Sequence, residues 1–279
     1  MSSYCRRVVV VVLDGLRPDA IDAFDLTHLQ ALERMGTHTR RATTVAPSVT
    51  AAAMGSLLTG VHPDFHGLNS DRFHIPHSHG PLYPVPAVLR DAGYTSSAFL
   101  AQPPLLFRRL GKALAVRLGV DAPHFIGQQA PEIALAARRT LGEQERGLIM
   151  FHLPDADRAG HAHGWMSSQY ADAARRLDAT TGLIRALALD GHRDDTLLIA
   201  CADHGGGGAV ANDHDSAHPL DRTIPIMLAG CGVRQDATLN DASLLDLPPT
   251  VLAALGVAVP STYVGRVLTE AFVTMSVAA

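Results

Sequence analysis

The sequence predicts an α/β fold built on a mostly parallel sheet, and three observations carry that prediction. Five apolar runs, 8–15, 94–102, 147–155, 195–205 and 223–230, are rich in valine, isoleucine and leucine without strict polar alternation, which marks strands covered on both faces. Between them lie stretches with apolar residues at helical spacing, such as 131–146 and 170–191, so strand and helix alternate along the chain. Three of the five runs also end in carboxylates, at the strand ends where sheets of this class form their ligand sites.

The first run follows Arg6 and Arg7 and stops at Asp14, too short for a signal-peptide core or a membrane span, and it reads as a buried strand. Asp14 opens "DGLRPDAIDAF", where it suits a helix cap as well as a ligand. In "APSVTAAAMGSLLTG", Pro47 disfavours helix before it, and a helix of small residues starts near Thr50 or Ala51. The Thr50 hydroxyl then sits at a positive helix end, as an ordinary cap or as a nucleophile that needs a metal to lower its pKa.

The third run leads into "DADRAGHAHG", where Asp157 and His161 stand four apart and share one side of a helical turn or tight loop. The helix over 170–191 ends at Gly191, a residue suited to a helix C-terminus. The fourth run ends in Asp203 and His204, a mixed oxygen and nitrogen pair that suits zinc, followed by glycines that permit close backbone approach. His214 and His218 precede the last run.

Bulk properties narrow the field. At 279 residues and 47% hydrophobic content the chain can bury a large core. A formal net charge of -4 supplies no basic field for nucleic acid. Cys5, Cys201 and Cys231 are odd in number and form no CxxC pair, so neither a disulfide framework nor a thiolate zinc site is expected, and a reducing, cytoplasmic setting fits.

Taken in order, "VVVLDGLRPD", "SVTAAAMGSLLTGVHPDFHG", "DADRAGHAHG", "ADHGG", His214 with "DRTIPIMLAG", and "SLLDLPPTVLAALGV" resemble the alkaline phosphatase superfamily, most of all its type I phosphodiesterase and nucleotide pyrophosphatase branch. The resemblance implies a three-layer α/β/α sandwich forming a single hydrolase domain over 1–279, with pocket-shaping segments near 69–84 and 103–130. It implies two divalent ions, zinc first with manganese or iron as alternatives. Asp157, His161 and His214 match the ligands of one, and Asp14, Asp203 and His204 those of the other. Thr50 matches the nucleophile, bound to the second ion and passing through a phosphothreonine intermediate, while the Ala51 NH and the Asn69 side chain match an oxyanion site.

The expected activity is hydrolysis of a small phosphate ester, a diester or nucleotide pyrophosphate. A phosphomonoesterase or phosphonate hydrolase using the same site is the alternative, and a binding module without turnover is the alternative of another class. Ala52 and Ala53 replace the proline and polar neighbour common after the nucleophile in this branch, which loosens the expectation of diester preference. The stretch from Thr50 to Met54 lacks the residues a sulfatase needs to make formylglycine. Arg17, Arg72, Arg158 and Arg222 are candidates to neutralise phosphate, and Asp155 and His163 to orient the first ligand set. His74, His77 and His79 form a histidine-rich loop, and Arg108, Arg109, Lys112 and Arg117 a basic helix face.

Overall fold

The computed structural model describes residues 5–71, 77–103, 105, 108–192 and 194–274. Its first strand, β1 (Arg7–Leu13), is buried along its whole length, because its run of valines presents apolar side chains to both faces of the pleat. After it come α1 (Ala20–Ala23), α2 (Thr27–Met35), β2 (Thr37–Thr43), α3 (Thr50–Thr59), α4 (Pro63–His66), α5 (Val85–Asp91), β3 (Ser96–Leu100), α6 (Arg108–Arg117) and β4 (Ala122–Phe125). Then follow α7 (Ala130–Glu143), β5 (Gly147–Leu153), α8 (Asp155–His163), α9 (Ser168–Leu189), β6 (Thr196–Cys201), α10 (Pro219–Arg222), β7 (Thr223–Gly230), β8 (Ala237–Thr238) and α11 (Leu247–Ala254).

The strands form one eight-stranded sheet in the order β4-β3-β5-β1-β6-β7-β2-β8. From β4 to β6 the neighbours are parallel, whereas β7 is antiparallel to both β6 and β2. The connection 202–222 therefore begins and ends at the same edge. Helices α2, α7 and α9 pack together as one layer and α3, α5 and α11 as the other, so the three-layer α/β expectation holds.

The five expected runs became β1, β3, β5, β6 and β7. The other three strands escape an apolar-run criterion for physical reasons. β2 reads THTRRAT, with alternating burial, while β4 is a half-buried tetrapeptide and β8 has only 2 residues.

Arg7 anchors the end of β1 remote from the site. Its buried guanidinium donates to the carbonyls of Leu141, Gln144 and Ala188 and to the Thr196 hydroxyl. Those carbonyls lie at the C-terminal ends of α7 and α9, where helix dipoles favour a cation. At the other end, Leu13 pairs with Leu153 of β5 and Val12 with Cys201 of β6, so three central strands finish nearly level. Asp14, the start of α8 and Asp203 emerge side by side. The three cysteines are buried and not joined by disulfides. Among the described residues no helix is long and apolar enough to cross a membrane.

Candidate active site

The turn after β1 is held from three sides. Gly15 adopts φ +70°, and a Cβ there would lie 2.8 Å from the Asp157 Cα, so a side chain would displace α8. The Asp157 NH donates to the Asp14 carbonyl at 3.0 Å. The Gly15 carbonyl accepts from both Trp165 Nε1 and the Tyr170 hydroxyl, each at 2.9 Å. Trp165 in turn lies flush against Gly206, where a Cβ would come within 2.1 Å of the indole. The close approach that the glycine run permits is thus to tryptophan.

The six expected ligands and Thr50 come together at this edge. Asp157 and His161 occupy successive turns of α8, with His161 Nε2 at 3.3 Å from Asp157 Oδ1 and 3.1 Å from His214 Nε2. His214 Nε2 is 3.7 Å from the same Asp157 oxygen. In the second set, His204 Nε2 lies 3.4 Å from Asp14 Oδ1 and 3.6 Å from Asp203 Oδ2. The rings of His204 and His214 stack at 3.8 Å, which joins the two sets. Thr50 is the first residue of α3; Val49 is its N-cap, without a side-chain cap bond, so the threonine is no helix cap. Its Oγ1 lies 3.1 Å from His204 Nε2.

These donors suit cations. Asp14 Oδ1, Asp157 Oδ1 and Asp203 Oδ2 are buried without a hydrogen-bond partner, an arrangement that is costly unless a cation meets them. Among the described residues every ion-pair partner of these three carboxylates is an imidazole. Two sets of donor atoms, Asp157 with His204 and His214, and Asp14 with Asp203 and His204, each fall within 4.8 Å of one another. Carbonyls orient the rings: Nδ1 of His161, His204 and His214 sits against the carbonyls of Asn212, Gly205 and Ser48, leaving each Nε2 to face the cluster.

Electrostatic crowding points the same way. Burial, then the neighbouring Asp203 and Asp157, push the Asp14 carboxyl well above the usual carboxylate range. Burial also opposes ionisation of Asp203, yet His204, His152 and the Gly15 NH outweigh it and hold that group low. His204 is raised because Asp203 and Asp157 overcome its burial, and His214 is lowered by burial and then by His204. Neighbouring groups of one kind are thus shifted in opposite directions by the charges around them, as in a cluster that titrates as a unit.

Several expectations need correction. Asn69 is exposed, and the Ala51 NH instead donates to Asp71 Oδ1 at 2.8 Å, because the loop reaches α3 two residues later. Asp155 faces the opposite way: its carboxylate accepts from the Ala130 NH at the start of α7 and from Arg176. His163 is exposed and lines a groove with Asp155 and Arg176, so neither orients the cluster. His218 caps α10 through Nδ1.

Arg17 is tied to Asp19 and Arg222 to the Ser216 carbonyl. Arg158 also donates to a carbonyl, that of Gln128, but it lines a groove of about 670 Å³ at the site with Asp14, Asp157, Gln102 and Arg108. His77 and His79 are exposed, and Arg72 and His74 lie outside the described residues. His152, near the end of β5, was missed; its Nε2 lies 3.3 Å from Asp14 Oδ2. A histidine at the end of an otherwise apolar run was the available signal.

A model described as type I phosphodiesterase / nucleotide pyrophosphatase matches residues 8–87 and 109–238, well over half of the chain. The chain belongs to that family. Among curated relatives of this phosphodiesterase-family chain is a 2,3-bisphosphoglycerate-independent phosphoglycerate mutase of Natronomonas pharaonis, 26% identical over 159 residues. The match takes in 54% of this chain but 30% of that protein, so the chain spans less than a third of the relative's length.

Among solved structures, murine ectonucleotide pyrophosphatase / phosphodiesterase 5 superposes with a TM-score of 0.74 at 14% identity, covering 95% of this chain and 99% of that one. A phosphonate monoester hydrolase from Silicibacter pomeroyi gives 0.65 at 18% identity, covering 96% and 76%. The fold of this phosphodiesterase-family chain is that of the alkaline phosphatase superfamily.

Proposed function

We propose that this protein is a metal-dependent hydrolase of phosphate esters, acting on diesters or pyrophosphates, with Thr50 as its nucleophile. The observation that carries the reading is the Thr50 hydroxyl, 3.1 Å from His204 at the rim of a buried cluster of partnerless carboxylates. Asp157, His161 and His214 would hold one divalent cation, and Asp14, Asp203 and His204 a second. Zinc fits the mixed oxygen and nitrogen donors best, with manganese or iron as substitutes. Bound there, such cations supply the charge that makes a hydroxyl nucleophilic at neutral pH and offsets charge on phosphoryl oxygens.

The chain's own groups divide the remaining work. Thr50 Oγ1 forms a bond to phosphorus as the ester P–O bond breaks; the leaving oxygen departs with the electron pair of that bond and takes up a proton equivalent to the one Thr50 gives up, so an alcohol is released. Water then adds to the phosphothreonine phosphorus, releases phosphate or its monoester, and returns Thr50 to its hydroxyl form. The position of Thr50 at the N-terminus of α3 favours the negative charge that gathers there. Arg158, in the groove beside Asp157, offers a guanidinium to an anionic substituent.

The test is metal content measured together with hydrolysis of bis-p-nitrophenyl phosphate and p-nitrophenyl phosphate, before and after chelation. About two ions per chain with chelator-sensitive diester cleavage is the expected result. Metal-free protein that still cleaves the diester would overturn it.

A further inference from the structure

A second cavity begins at the nucleophile itself. It holds about 300 Å³ and lies between α3 and α6, above β3, β4 and β5. Thr50, Met54 and Leu58 form one wall; they are spaced four apart on α3 and so make a single stripe about 12 Å long. Leu114 and Ala115 of α6 face them, and Phe125 closes one side. Thr50 and His152 are the polar side chains among its described lining residues, and both sit at the end that joins the carboxylate cluster.

The cavity is therefore polar at one end and apolar along the rest. A group bound in it is within reach of Thr50, and its far end meets hydrocarbon. A nucleobase seated there would leave its ring nitrogens and exocyclic groups without partners, a cost of desolvation that such a wall does not repay. An alkyl or aryl group would lose nothing. At about 30 Å³ for each water-sized group, the space takes about ten of them.

We propose that the substrate is a phosphoester bearing an alkyl or aryl group of about eight to ten carbons, which lies in this cavity along Met54 and Leu58. The proposal rests on the phosphoesterase reading and narrows it, because it sets an apolar substituent where that family's name suggests a nucleoside.

The experiment is calorimetric titration of metal-loaded Thr50→Ala protein with methyl, butyl and octyl phosphate below their micellar concentrations. Each methylene that leaves water can tighten binding by up to about fourfold, and the expected gain from methyl to octyl is at least about a hundredfold. Ala115→Trp, which fills the cavity from α6, should flatten the series, and Met54→Trp should do so from α3, so misfolding of one variant does not decide the matter. Leu135→Trp on the exposed side of α7 should leave it steep.

A flat series in the Thr50→Ala protein overturns the proposal. Hydrolysis of methyl and octyl p-nitrophenyl phosphate by the unmodified protein separates the two readings. Turnover of both with a flat binding series removes the apolar substituent alone, whereas failure to cleave either ester, with a steep series, removes the hydrolase reading and leaves the cavity's ligand in place.

Discussion

Asp71 Oδ1 accepts a hydrogen bond from the Ala51 NH at 2.8 Å, one residue past the hydroxyl of Thr50. A backbone donor beside the nucleophile is where a phosphoryl oxygen would look for stabilisation, and here a carboxylate holds it. Asp71→Ala is expected to free the donor and lower KM for bis-p-nitrophenyl phosphate about fivefold, the worth of one hydrogen bond. Steady-state kinetics checks this; a raised KM would mean that the carboxylate helps to bind substrate.

Thr50 itself gives the sharpest contrast between two variants. Thr50→Ala removes the oxygen and should cut kcat by on the order of a thousandfold or more, while Thr50→Ser keeps a hydroxyl and should retain measurable turnover. Stopped-flow detection of p-nitrophenolate resolves the two. Equal rates for Thr50→Ala and the parent would end the case for a covalent intermediate.

Trp165 spans both halves of the site. It bonds the Gly15 carbonyl, lies against Gly206, and meets His161 and His214 edge-on with centroids at 5.3 and 5.8 Å. Trp165→Phe should preserve most of the packing but lose the bond, and zinc affinity should fall about 10- to 100-fold in a competition titration. An unchanged affinity would assign Trp165 to packing alone.

His66 predicts how the protein responds to acid. Its Nδ1 accepts from the Leu68 NH at 3.1 Å, which places the proton on Nε2, 3.0 Å from Ser56 Oγ. Burial pushes its pKa down to about 4. Below the ordinary histidine value the unfolded chain takes up a proton that the folded one refuses, so stability falls as pH drops from about 6.5 towards 4. The loss amounts to about 3 kcal/mol over that window, and His66→Gln should lack this component in urea titrations at pH 7 and pH 4.5.

Arg7 offers a test remote from the site. Arg7→Met leaves the carbonyls of Leu141, Gln144 and Ala188 without that donor, and unfolding free energy should drop by about 3 kcal/mol. Urea denaturation measures it, and metal affinity should stay unchanged.

The residues legible in the sequence were those that announce themselves locally. Asp14, Asp157 and Asp203 follow apolar runs, and His161 lies one turn from Asp157 on the same helix. What escaped depends on distance along the chain. Asp71 meets Ala51 across 20 residues through a loop with no periodic pattern, and Tyr170 reaches Gly15 across 155. Trp165 did carry a sign, as the sole tryptophan, set four residues after His161. Asp155 misled because a strand-end carboxylate beside a ligand looks like its support, whereas it binds the start of α7.

The antiparallel course of β7 has an evolutionary consequence. Segment 202–222 leaves β6 and rejoins the sheet at one edge, and Val210 in its middle is 53% exposed. Chain can be added at that point without threading anything beneath the sheet or altering the register of β1, β5 and β6. An insert there would stand at the mouth of the site and screen what enters. Because the same segment carries Asp203, His204 and His214, the exposed turn around Val210 is the part of it that can lengthen while those side chains keep their places.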